Sequence, residues 1–101
     1  MRSGVAGLGL ALTIATAVHA YSGDGYAVCK LDPNGDNFLA LRTGPGSSNR
    51  MIMKLGPGDV VESRGDVQNG WLAVAVQQTG GRTVLRDQPN GYVYTGYLCR
   101  L

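Results

Sequence analysis

From residue 26 onward, apolar and polar residues alternate in short runs, and each run closes on glycine, proline, Asn or Asp. That period of two is the signature of half-buried strands. The pattern predicts strands at 26–31, at 37–43 with Leu39 and Leu41 on one face, and at 51–55 with Met51, Met53 and Leu55 together. Further strands are expected at 60–64, 71–77 and 91–95, with a hairpin partner at Thr83-Val84-Leu85. The clearest is 71–77, where Leu72, Val74 and Val76 point one way and Trp71, Ala73 and Ala75 the other. Turns fall at Asp32-Pro33-Asn34-Gly35-Asp36, Gly56-Pro57-Gly58-Asp59, 65–70, Gly80-Gly81 and Gln88-Pro89-Asn90. A long loop covers 44–49, and 96–99 reads as a final single turn.

No segment after residue 20 shows apolar residues at helical spacing over three turns. Five to seven short antiparallel strands with frequent turns imply an all-β sandwich or barrel. A small barrel is the more economical choice for so short a chain, because closure removes edge strands. Its expected core is Leu39, Leu41, Met51, Met53, Leu55, Val61, Leu72, Val74, Val76 and Val93.

The first twenty residues read differently. Met1-Arg2-Ser3 is a positive start, an uncharged apolar run follows to Val18, and Val18-His19-Ala20 supplies a cleavage site. That is the grammar of a secretory signal peptide at 1–20, with a single domain at 21–101. A membrane anchor is the alternative. The run is shorter than the roughly 20 apolar residues of a spanning helix, and Gly4, Gly7 and Gly9 weaken it further. A lipoprotein is a weaker alternative, since Cys29 lies far from the apolar run and follows Val28. The expected location is therefore periplasmic or secreted, with no membrane span after cleavage.

Composition narrows the picture. Without Arg2 the mature chain keeps eight basic and seven acidic residues, a net charge of +1. That is no nucleic-acid footprint. Cys29 and Cys99 lie near the two ends of the mature chain. Either they are separate buried thiols, or export lets them form one bridge between the first strand and the last turn, and the bridge is the expectation.

The run Leu39-Ala40-Leu41-Arg42-Thr43-Gly44-Pro45 resembles the opening signature of bacterial SH3 domains. The following parts keep the family's order: Met51-Ile52 to Leu55, Gly58-Asp59 before Val61, Gly70-Trp71-Leu72-Ala73-Val74, then Gly91-Tyr92-Val93 and Tyr97-Leu98. The resemblance spans about 26–98 and implies an SH3-like barrel. It also implies a non-catalytic module that binds a peptidoglycan peptide or an exported protein. Three departures stand out. Ala40 replaces a frequent Asn, Tyr92 stands where Trp is usual, and 77–90 is longer than a minimal distal hairpin.

The chemistry-bearing residues agree with binding. The one histidine, His19, belongs to the leader, so the mature chain lacks the commonest general base. Ser–His and Cys–His pairs are then excluded, and two cysteines are too few to hold zinc. No cofactor or metal is expected. Asp32 to Asp36 lacks the spacing of a calcium loop and reads as a solvated turn. Asp59 with Glu62 is the remaining carboxylate pair, with no apolar surroundings in the sequence to raise one pKa. Trp71, Tyr94 and Tyr97 are candidates for a ligand groove, with Arg42 and Arg50 beside the first loop to meet a carboxylate. The alternative is that these aromatics cover one end of the barrel while the arginines are solvated. For Tyr92 packing is expected. A second function class stays open, an inhibitor or accessory subunit of a separate exported enzyme that uses the loop within 77–90.

Mass spectrometry of the exported protein is expected to find 81 residues beginning at Tyr21. A full-length mass would overturn cleavage.

Overall fold

The computed structural model describes residues 23–84 and 86–101. The leader expected at 1–20 and Leu85 of the expected hairpin lie outside the described residues.

The described chain is all-β, and every strand pairing is antiparallel. The strands are β1 (Gly25–Val28), β2 (Leu39–Arg42), β3 (Met51–Leu55) and β4 (Val60–Ser63), then β5 (Trp71–Thr79), β6 (Arg82–Thr83), β7 (Asn90–Tyr94) and β8 (Leu98–Arg100). They form one eight-stranded sheet in the order β3-β2-β7-β5-β4-β1-β8, with β6 as a hairpin partner of β5. The count exceeds the expected five to seven because the final turn continues into β8. Only Thr95–Tyr97 is a single 3-10 turn, and Leu98–Arg100 pairs with β1. With one alternation or less, so short a strand leaves no periodic signal to read.

Turn chemistry sets the register. Asn69 and Gly70 both take positive φ (51° and 86°) between Gln68 and Trp71, whose backbones exchange hydrogen bonds of 2.7 and 2.9 Å. This is the mirror-image hairpin turn that Asn-Gly favours. It fixes where β5 begins. Gly80 and Gly81 repeat the solution between β5 and β6.

The inward face holds Val28, Leu39, Leu41, Leu55, Val61, Leu72, Val74, Val76, Val93 and Leu98, with Met53 packed against them. Val28 and Leu98 join the expected core. Met51 leaves it, at 39% exposure. A bulge explains this. Leu41 pairs with Met53 but Arg42 pairs with Met51, so Ile52 is the extra residue and Met51 takes the outward register of Arg42. A second irregularity falls between Val60 and Val61, which pair with Gln78 and Val76. Gln77 is the extra residue there, and its side-chain amide pairs with that of Gln88. With Val76 N–H donating to the Pro89 carbonyl at 2.9 Å, the long 77–90 excursion is tied back onto the sheet.

Cys29 and Cys99 form the expected disulfide, with 5.9 Å between their Cα atoms and 70 positions between them in sequence. The Cys29 N–H also donates to the Tyr97 carbonyl at 2.9 Å. Asp59, 6% exposed, sits just before β4 beside Val28, whose N–H donates to its carbonyl at 2.8 Å. Its carboxylate accepts from the Gly56 and Gly80 N–H groups and from the Thr79 hydroxyl, joining the turn before β4 to the β5–β6 hairpin.

Replacing both cysteines by serine is expected to cost about 4 kcal/mol of unfolding free energy in the chain-entropy picture. The measurement is the midpoint of urea unfolding against the oxidised protein.

Candidate functional site

The outward face of β2, β7 and β5 carries the candidate site, because alternation sends their other side chains into the core. On β2, Leu39 and Leu41 face in, so Ala40 and Arg42 face out. On β7, Val93 is buried and Tyr92 and Tyr94 face out. On β5, Leu72 and Val74 are buried and Trp71 and Ala73 face out. The register pairs Trp71 with Tyr94 and Ala73 with Tyr92. Arg42 pairs with Tyr92.

Trp71 and Tyr94 meet edge to face, 5.6 Å between centroids with planes at 62°. Tyr97, carried by the 3-10 turn, leans on Tyr94 at 6.1 Å. These three rings, with Phe38, Ala40 and Arg42, line an open cleft of about 290 Å³, and Asp36 and Ser47 stand at its rim. Tyr94 and Tyr97 remain 43% and 42% exposed, so ring surface faces solvent.

Two glycines hold the Tyr94 ring. A Cβ on Gly70 would lie 2.9 Å from its Cε1, and one on Gly96 would lie 2.6 Å from its Cε2. The ring occupies the space that side chains at those positions would take. A third glycine sets the strand approach: a Cβ on Gly91 would meet the Arg42 carbonyl at 2.6 Å. Its absence lets β7 close on β2 and brings Tyr92 beside Arg42.

Of the expected groove residues, the structure gathers Arg42, Trp71, Tyr94 and Tyr97 in one cleft. Arg50 is not among the cleft's lining residues. It is exposed, and its carbonyl accepts from Thr43 N–H at 2.9 Å, closing the neck of the long loop. Arg42 spends one guanidinium nitrogen on the Asn49 carbonyl at 2.9 Å, which braces the same loop from inside. Its other donors have no protein partner among the described residues, and it forms no ion pair there.

Phe38 and Asp36 were not among the expected groove residues. Phe38 lies two positions before Ala40 and four before Arg42, so period-two alternation alone puts all three on one side. Lys54 sits over the Phe38 ring at 4.6 Å and covers one of its faces.

A second cleft of about 230 Å³ lies one step along the same face, lined by Thr43, Arg64, Ala73, Val74, Asn90, Gly91 and Tyr92. Tyr92, expected to pack, is half-buried against it.

The carboxylate pair Asp59 and Glu62 serves separate local contacts. Glu62, 3% exposed, accepts from the Gly23 N–H at 3.0 Å and from Arg64 at 3.3 Å. Among the described residues no three acidic, histidine or cysteine side chains gather as a metal site. The Asp32 segment is a turn, its carboxylate accepting from the Asn34 N–H at 2.9 Å.

No protein-family model matches the chain, and no curated protein matches it. The site therefore speaks through its geometry: flat aromatic faces, one arginine and one aspartate around an open trough.

Gly96→Ala is expected to turn the Tyr94 ring and change the near-ultraviolet circular dichroism of Trp71, with the far-ultraviolet spectrum unchanged. In a double-mutant cycle the Trp71–Tyr94 pair should couple by about 0.5–1.5 kcal/mol.

Proposed function

We propose that this chain is exported, sheds residues 1–20, and closes its sheet into a barrel of the bacterial SH3-like type that binds without catalysing a reaction. Its ligand is a peptide of the cell envelope, the peptidoglycan stem peptide. The carrying observation is the cleft in which Trp71, Tyr94 and Tyr97 meet edge to face or tilted beside Arg42.

Rigid aromatic rings give a large contact area at small entropic cost, and their polar edges stay wet. Arg42 supplies forked donors suited to a carboxylate, and Asp36 supplies an acceptor for an ammonium. A stem peptide offers both charges on a short extended chain. The open form of the cleft suits a ligand that lies across a surface. The disulfide supports the export reading, because such bonds persist in oxidising compartments. The sequence order of the Leu39–Pro45, Gly70–Val74 and Gly91–Val93 motifs supports the barrel reading.

Purified sacculi are expected to retain the wild-type protein, and the Trp71→Ala, Tyr94→Ala double variant should be retained at least tenfold less. Equal retention of the two rejects the aromatic cleft as the wall-binding surface. No retention of the wild type rejects the wall ligand itself and favours an exported protein partner, sought by crosslinking in the envelope.

A further inference from the structure

The two clefts share one sheet face. Arg42, Tyr92 and Ala73 stand in one cross-strand row, and the row continues to Arg64, whose N–H donates to the Ala73 carbonyl at 2.7 Å. The neighbouring row, Trp71 beside Tyr94, belongs to the aromatic cleft. Arg42 lines the first cleft and Arg64 the second, with Tyr92 and Ala73 between them. Beyond Ala73 the face closes: Ala75 is 2% exposed and its partner Glu62 is 3% exposed. The open strip therefore has a definite end.

The geometry points to a single binding track with two subsites, which takes an extended acidic peptide of about five residues. This rests on the stem-peptide reading and specifies the length and charge of the ligand. The first cleft, at about 290 Å³, stands at the small end of the roughly 300–1,000 Å³ of an ordinary ligand site, and the second adds about 230 Å³.

Arg42 on β2 and Arg64 beyond β4 are separated by three strand spacings of roughly 4.8 Å, about 14 Å between backbones. An extended chain advances at most about 3.3–3.6 Å per residue, so three residues fall short, four barely reach and five span the distance with slack. Both arginines keep donors for a ligand. Arg42 gives one nitrogen to a carbonyl, and Arg64, with a half-exposed side chain, gives one to Glu62. Two cations at the two ends of an aromatic and small-residue floor complement a peptide with carboxylates near both ends. The small side chain of Ala73 is what leaves the second subsite open.

Trp71 is the only tryptophan in the chain, so its fluorescence reports on the first subsite directly. The probes are a soluble stem tripeptide and the corresponding stem pentapeptide, titrated against the full mature protein at low salt. The pentapeptide is expected to bind at least tenfold tighter than the tripeptide. Ala73→Met fills the second cleft with an uncharged side chain and should erase that difference, with thermal unfolding confirming that the variant is folded. Raising the salt should weaken the pentapeptide more than the tripeptide, since two charge contacts are screened instead of one. Equal affinities of the two peptides for the wild type would overturn the two-subsite track and leave the aromatic cleft standing. The same holds if the pentapeptide keeps its full advantage in a folded Ala73→Met variant. A failure of both peptides to bind would overturn the stem-peptide reading, and the track with it.

Discussion

The cross-link between Cys29 and Cys99 is the constraint on which the arrangement turns. It joins positions 70 apart in sequence and sits where β1 meets β8. A chain this small gains only a few kcal/mol from its core, so a tether of similar size decides whether it holds one structure. The tether also reaches the site. Cys29 donates to the Tyr97 carbonyl, so the covalent link and one wall of the cleft share a hydrogen bond. The cross-link and the aromatic cleft are thus joined through two residues, Cys29 and Tyr97.

The aromatic face depends on what three positions lack. Gly70 and Gly96 leave room for the Tyr94 ring, and Gly91 lets β7 approach β2. Two of the absent side chains would meet the Tyr94 ring, and the third would meet the Arg42 carbonyl and the Leu41 side chain. The Tyr94 ring is then positioned by the close approach of two backbone segments. Order of this kind in a surface lowers the entropic cost of any association made through it.

Alternation made much of this visible in the sequence. Leu39 and Leu41, Leu72, Val74 and Val76, and Val93 all lie on the inward face, and Trp71 and Ala73 face outward as the pattern implies. The convergence of Trp71, Tyr94 and Tyr97 was implied by the resemblance to bacterial SH3 domains, since alternation alone does not say which strands pair. What escaped the pattern has physical causes. Met51 was misplaced because a bulge at Ile52 reverses the register, and a bulge leaves no mark in a run such as Met51-Ile52-Met53. Strand β8 was hidden because three residues show no period. Arg50 looked equivalent to Arg42 by its nearness to the loop, yet the loop is closed by Arg50's backbone while its side chain stays exposed. Phe38 was readable from its spacing to Ala40 and Arg42, and only its isolation from the other aromatics concealed it.

Strand β3 stands at one end of the sheet order, with Met51 and Ile52 in solvent. An open edge with apolar side chains is a template on which other copies of a chain can add themselves. Here the bulge at Ile52 breaks the even spacing of hydrogen-bonding groups, and Lys54 sets a positive charge on the same strand. The irregularity that spoiled the hydrophobic pattern thereby also makes this border a poorer template for a further strand.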